Sequence, residues 1–284
     1  MNGWHPVART TRTTGARKKG SVDVSVVMPC LNEERSVGSC VSRSWEGLTR
    51  AGLRGEVIVC DNGSTDGSVA AAEAAGAQIV HQPRRGYGIA YLTAINQSCG
   101  ELIVMGDSDG SYDFLEIDRF LEPLVGGYDY VLGSRFAGTI LPGAMPWSHR
   151  YVGNPVLTGL LNLLFSLHST DAHSGMRAFT RDAYRLMSLR SEGMELASEL
   201  VIAAARAGLR ITEIPITYHP RLGTSKLHPF RDGWRHLCFM LAEARSPTSR
   251  RADRDGSALG AAPTPPVGAV GVKRLQVKDS AASQ

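Results

Sequence analysis

The sequence predicts an α/β fold with a mostly parallel central sheet and helices on both faces. Two observations carry this. Short apolar runs of strand length recur at Ser25–Met28, Glu56–Cys60, Ala77–His81, Glu101–Gly106 and Tyr128–Gly133, the first four each followed by a helical stretch. Strands that are apolar throughout belong to parallel sheets covered on both sides. In addition, the polar clusters of the first half fall just past the ends of those runs. Ligands of open α/β sheets bind there, beyond the carboxyl ends of the strands.

In order along the chain, Pro29 stops the first strand, and Val37, Val41, Trp45 and Leu48 then recur at spacings of three and four, which predicts a helix. The second strand runs into Asp61-Asn62-Gly63-Ser64-Thr65-Asp66, a cluster of turn formers and short acceptor side chains. An alanine-rich helix at Ser68–Ala75 leads to the third strand. Arg84-Arg85-Gly86-Tyr87-Gly88 opens another helix, and a further one spans about Phe114 to Val125. The second half is patterned differently. Pro142–Trp147 reads as a loop, Pro155–Leu167 as a helix apolar on nearly all sides, and Met194–Ala207 as a helix. Arg210–Tyr218 is a strand interrupted by Pro215.

Bulk properties narrow the class. With 284 residues the chain suggests one sizeable domain plus tails. We read residues 1–22 as a basic disordered arm, 23–244 as the domain, and 245–284 as a disordered tail too poor in apolar residues to bury a core. A net charge of +4 is too small an excess to argue for a nucleic-acid partner. The five cysteines are odd in number and lack C-x-x-C spacing, which predicts neither a disulfide framework nor a zinc site and points to a reducing, cytoplasmic compartment. No apolar core follows the N-terminal arginines and lysines as in a secretory signal. The Pro155–Leu167 run falls short of the roughly 20 residues of a spanning helix.

The stretch of greatest chemical content is Leu102–Asp109. An apolar strand runs directly into Asp107-Ser108-Asp109, two carboxylates one residue apart. Like charges at the end of a buried strand repel unless something positive lies between them. A hard divalent cation is the simplest candidate, because it prefers carboxylate oxygens and bridges them to phosphates. The competing reading is an acidic turn capping the next helix, which suits Asp113 best. Arg85 and Gly86 at a helix start suit either anion binding or a structural turn. A dinucleotide fingerprint is excluded, since the loop follows Gln82-Pro83 and Tyr91 stands where the third glycine belongs.

Pro29-x-x-Asn32-Glu33, the Asp61–Asp66 cluster, Arg85-Gly86-Tyr87-Gly88, Asp107-x-Asp109, Gly133-Ser134-Arg135, Asp171-x-x-Ser174-Gly175-x-Arg177 and Arg221-x-x-x-Ser225-Lys226 stand in one order. The set resembles the family 2 glycosyltransferases of GT-A fold, the nucleotide-diphospho-sugar transferase fold. More narrowly it resembles the dolichyl- or polyprenyl-phosphate sugar synthase branch, over about Val24 to Leu241. The resemblance implies a metal-dependent inverting transferase, with a UDP- or GDP-sugar as donor and a polyprenyl phosphate as acceptor. It places Mg²⁺ or Mn²⁺ on Asp107 and Asp109. Asp61 with the Pro29–Glu33 loop would take base and ribose, and Arg135 the donor phosphates. Arg85, Gly86, Ser174 and Arg177 would complete the substrate site, with Arg221 and Lys226 meeting the acceptor phosphate. A Gln found in many relatives two positions past the second Asp is Ser111 here.

Other readings stay open on the residues alone. A transferase acting on a hydroxyl of a small molecule or glycan would need a general base, for which Asp171 and Glu195 are candidates. Glu195 and Glu199 equally suit the first turn of a helix. A non-catalytic nucleotide-sugar binding module would keep the donor motifs without turnover. Many relatives carry transmembrane helices after the segment matching Arg231–His236, whereas this chain turns polar at Ala242–Arg245. The basic arm and the Pro155–Leu167 helix therefore predict at most a peripheral contact with the inner face of a membrane.

Overall fold

The computed structural model describes residues 22–223 and 229–245. Apart from Val22 and Arg245, the expected arm and tail lie outside the described residues, as do Ser225 and Lys226. Seven strands form one sheet: β1 (Val24–Cys30), β2 (Gly55–Asp61), β3 (Gln78–His81), β4 (Leu102–Met105), β5 (Tyr130–Ile140), β6 (Arg177–Thr180) and β7 (Ile211–Tyr218). Their order is β3-β2-β1-β4-β6-β5-β7. All neighbours are parallel except β6, which runs antiparallel to both β4 and β5. The α/β architecture with a mostly parallel sheet agrees with the sequence reading. The four-residue β6 is the exception, and it goes unseen in the sequence because it is too short to display a period.

Helices cover both faces. On one side α1 (Val37–Arg50) and α4 (Ile117–Val125) pack through Val37, Val41, Leu48, Phe120 and Leu124 onto the β1–β2 face. On the other, α3 (Tyr87–Gln97), α6 (Arg181–Met187) and α7 (Leu196–Arg206) close over Val27, Ile58, Ile103 and Leu132. The short helix α2 (Ser68–Ala74) connects β2 to β3. A third, smaller core lies away from the sheet, where α5 (Asn154–Phe165) and α8 (Pro229–Arg245) meet α7 around Leu161, Val201, Ile202 and Met240. Among the described residues no helix is long and apolar enough to cross a membrane.

The fifth strand is longer than its sequence suggests. It runs on through Ser134 and Arg135 to Ile140, with a register irregularity against β7 between Ser134 and Thr139. Cys30, Cys40 and Cys60 are buried, Cys99 and Cys238 are exposed, and none is in a disulfide.

The carboxyl ends of β1, β2 and β4 converge. From β1 the chain moves outward through β2 to β3, then returns to place β4 on β1's other side. This reversal opens a crevice between neighbouring loops. Asn32 and Glu33, Asp61, and Asp107 with Asp109 all stand just past, or at, those strand ends.

Candidate active site

The crevice is built on loops tied to each other rather than to solvent. Asn32, in the left-handed region at φ 53°, turns the chain after β1. Its backbone N–H donates to Ser64 Oγ (3.0 Å), and its side-chain oxygen accepts from the Thr65 N–H (2.8 Å). The Glu33 N–H donates to Ser68 Oγ (2.7 Å). Asp66 accepts from the Ser68 N–H (3.0 Å) and so holds the start of α2. Pro29 contributes its carbonyl, which accepts from Ser108 Oγ (2.6 Å) and ties the β1 end to the Asp107-Ser108-Asp109 turn.

Asp61 is buried at the end of β2, accepting from the Ser64 N–H (2.9 Å) and facing His81 Nδ1 at 3.3 Å. Burial pushes its carboxyl up, but the hydrogen bonds from Ser64, His81 and Gly63 outweigh that and hold it below the usual carboxylate range. It is an ionised acceptor at the crevice wall.

The two central carboxylates are held in opposite ways. Asp107 Oδ1 accepts from the hydroxyls of both Tyr87 and Tyr91, each at 2.9 Å. These tyrosines lie four apart on α3, hence on one face of it. Their role is legible in principle as two phenols on a helix that faces the strand end, yet in the sequence Tyr91 stands out only as the residue where a third glycine would belong. Burial, and next the charge of Asp109, raise the Asp107 carboxyl to about 6. Gly175 packs close beside it: a β-carbon there would stand 2.8 Å from Asp107 Oδ2 and 3.1 Å from the Tyr112 ring. Asp109 Oδ1 accepts from the Ser111 N–H (2.9 Å) and hydroxyl (2.5 Å), while Oδ2 meets Arg221 Nη2 at 2.6 Å. Arg221 Nη2 also approaches Glu33 Oε1 at 3.6 Å. The backbone follows: the Leu222 N–H donates to the Asp109 carbonyl (3.0 Å) and the His219 N–H to that of Ser111 (2.9 Å). Asp113 is separate. It accepts from the Leu115 N–H (2.8 Å) and pairs with Arg43 (2.6 Å), so it serves the helix start.

The residues fit a hard cation. Asp107 and Asp109 offer carboxylate oxygens, and their mutual repulsion is part of what raises Asp107. Among the described residues no third acid, His or Cys joins them as a cluster of metal-ligand type. Two carboxylates are the usual protein share for a Mg²⁺-like ion, which takes its remaining ligands from water and phosphates.

Several expected site residues prove structural. Arg177 is fully buried, donating to the carbonyls of Ser174 (2.7 Å), Ala172 (2.9 Å) and Ala197 (2.9 Å) and to the Tyr130 hydroxyl (2.9 Å). With its guanidinium spent on the loop and on α7, it has no face toward substrate. Gly86 donates its N–H to Asn62 Oδ1 (2.8 Å), and a β-carbon there would collide with the Glu192 carbonyl. Close approach of the 191–193 loop, rather than an anion, demands glycine. Arg85 donates to the Gly63 carbonyl (3.0 Å) from the crevice rim. Ser174 is fully buried with its hydroxyl unpartnered, between Asp171 and Gly175.

Arg135 is buried and locked to Asp171 by two parallel bonds, Nε to Oδ2 at 2.6 Å and Nη2 to Oδ1 at 2.7 Å. The Arg135 N–H adds a third at 3.0 Å, and its guanidinium lies 5.2 Å from the centre of the Tyr218 ring. Arg135 therefore carries no free charge for phosphates, and Asp171 has no open side for a base. Glu195 meets Arg235 at 3.0 Å. Glu199 accepts from the backbone N–H groups of Arg190 and Ser191 (3.1 and 2.7 Å). All three acids are occupied.

The chain matches the profile of "Glycosyl transferase family 2" over residues 25–187. It belongs to that family. It is 46% identical over 222 residues to "Low-salt glycan biosynthesis hexosyltransferase Agl6" of Haloferax volcanii, covering 78% of this chain and 54% of the relative. It thus spans about half the length of that relative. It is 35% identical to "Dolichyl-phosphate hexose transferase" of the same organism, covering 74% of this chain and 89% of that protein. Among solved structures, glucosyl-3-phosphoglycerate synthase from Mycobacterium tuberculosis in complex with Mn²⁺ and UDP-glucose superposes with a TM-score of 0.61 at 26% identity, covering 78% and 79% of the two chains. The fold is the GT-A fold of that family.

Proposed function

We propose that this glycosyltransferase moves a hexose from a nucleotide diphosphate sugar to a polyprenyl phosphate, with inversion and with the aid of Mg²⁺ or Mn²⁺. The observation that carries the reading is the contrast among the acids. Asp107 and Asp109 stand side by side at the end of β4 with one arginine, Arg221, between the two of them, so that the charge of Asp109 helps raise Asp107. Asp171, Glu195 and Glu199, by contrast, are each engaged by an arginine or by backbone N–H groups. A hydroxyl acceptor needs a base, and none of these is available for it. A phosphate acceptor is already ionised at neutral pH and needs none.

Asp107 and Asp109 would hold the ion. When bound, it supplies positive charge against the nucleoside diphosphate that leaves. The chain's own residues do the rest. Tyr87 and Tyr91 fix the orientation of Asp107, and Ser111 fixes that of Asp109. Asp61 and the Asn32–Glu33 turn receive the nucleoside end, where an ionised acceptor suits N–H and O–H donors. Arg221, and by the family resemblance Lys226, receive the acceptor phosphate. One acceptor oxygen bonds to the anomeric carbon as the bond to the diphosphate breaks. The relative named for dolichyl phosphate and the neighbour that binds Mn²⁺ and UDP-glucose support this reading. The protein would work at the cytoplasmic side of a membrane, as a peripheral partner.

The test is one incubation series of purified protein with UDP- and GDP-sugars against polyprenyl phosphate, polyprenol and soluble glycans, with products followed by mass. Glycosyl polyprenyl phosphate should form, vanish in chelator, and return with Mg²⁺ or Mn²⁺. Undiminished transfer in chelator, or transfer to hydroxyl acceptors alone, refutes the reading.

A further inference from the structure

The most apolar helix of the chain is among the least buried. Of α5 only Thr158 and Leu161 are buried, although its sequence, NPVLTGLLNLLF, contains no charged residue. Val156 and Leu163 are 61% and 78% exposed. They continue a stripe that begins at Val152 in the preceding turn and includes Pro155 and Gly159, where a β-carbon would meet nothing. Charge-free apolar surface of this extent on a helix calls for a partner.

Three features of the surroundings select the partner. At the start of the stripe Trp147, 70% exposed, lies against Tyr151 with ring centres 5.7 Å apart, and Arg150 sits 5.5 Å from the Tyr151 ring. Amphipathic aromatics beside a cation are the side chains that settle at the headgroup level of a bilayer. Next to α5, and packed on it through the third core, α8 exposes Trp234 and Leu241 on a face that also carries Arg231 and Arg245, with Arg235 there paired to Glu195. Aromatic and aliphatic side chains interspersed with arginines suit an anionic interface. Finally, the segment leading to α5 leaves the sheet beside the acceptor loop: the Leu141 N–H donates to the Tyr218 carbonyl (3.0 Å), three residues before Arg221.

We infer that the 147–163 segment and α8 form a face that lies in the interface of an anionic bilayer. This seats Arg221 near the phosphate of a lipid embedded in that bilayer. The inference rests on the lipid-phosphate reading of the acceptor, and it gives that reading a geometry. Apolar side chains enter the headgroup and acyl boundary, while the arginines remain among the anionic headgroups.

The experiment is flotation of the full chain with vesicles of phosphatidylcholine alone or with added phosphatidylglycerol, both free of polyprenyl phosphate and donor. Binding is then read apart from transfer, so failure of the docking face and failure of the acceptor assignment are separate results. The wild-type chain should float with anionic vesicles, and less with neutral ones. Val156→Glu and Leu163→Glu should each weaken that binding about tenfold or more, with Mn²⁺ affinity unchanged. Leu186→Glu, at an exposed apolar residue on α6, should leave binding as it was. Failure of the wild-type chain to float overturns the inference, as does full binding by both stripe variants. A dimer in sedimentation that these substitutions dissociate, without vesicle binding, would assign the face to a second copy of the chain and also overturn it.

Discussion

The strand end that carries Asp107 and Asp109 and the half of the molecule that follows Gly133 handle charge in different ways. In the second half acids and bases are matched. Arg135 sits on Asp171, Arg235 on Glu195, and Arg190 and Arg206 both on Glu243. In the first half, Asp107 and Asp109 crowd at one strand end, and the arginine that reaches them, Arg221, comes from the other half. Motifs of similar appearance thus do different work. A matched pair holds shape, and two acids that share one arginine leave a balance for a ligand to supply.

That comparison can be broken by substitution. The largest effect belongs to the two acids that share an arginine: Asp109→Ala should cut the transfer rate by about 10³-fold, some 4 kcal/mol of transition-state stabilisation. Mn²⁺ binding should fall with it while the far-UV circular dichroism stays native. An equal loss from a substitution such as Glu199→Gln would erase the distinction.

On the matched side, Arg135→Ala leaves Asp171 buried and uncompensated. It should destabilise the fold by about 3–5 kcal/mol, read as the urea midpoint. Replacing both partners, Arg135→Met with Asp171→Leu, should recover most of that loss. If the double variant is as unstable as the single one, the pair does more than hold shape.

The third test concerns the packing of α8. His236 Nδ1 lies 2.8 Å from Ser198 Oγ, whose far side faces His173 Nε2 at 3.0 Å. Burial above all pushes His236 down to about 4, against the pull of Glu195 and Asp232. The unfolded chain, with its ordinary histidine, takes up the proton first as pH falls below about 6.5. Stability is therefore lost between about pH 6.5 and 4, by about 3 kcal/mol if His236 acts alone. Urea midpoints at pH 7 and 4.5 measure the drop, which His236→Gln should reduce. An unchanged drop would show that His236 does not drive it.

How far the sequence could be read follows from what each feature depends on. β1, β2 and β4 are legible because each is a run of apolar residues buried on both faces, and the acids after β4 stand out against it. β6 is not, because four residues starting with an arginine have no visible period. The burial of Arg177 depends on four neutral oxygens, two from the loop just before it and two brought by the fold from Tyr130 and Ala197. Gly86 reads as an anion loop until the 191–193 segment, a hundred residues later, is seen against it. The pairing of Arg135 with Asp171 is likewise a product of tertiary structure, since neither residue's type discloses whether its charge is spent or spare.

The contact between Arg221 and Asp109 imposes a timetable. A guanidinium at 2.6 Å from Asp109 Oδ2 occupies the flank of the carboxylate from which a cation would be held. Nucleotide and ion together must first dislodge it, and only then is its charge at the disposal of a second substrate. Kinetics should accordingly be strictly ordered, with acceptor saturation visible after donor has bound, and a phosphate-headed lipid analogue should bind more tightly once nucleoside diphosphate and Mn²⁺ are in place.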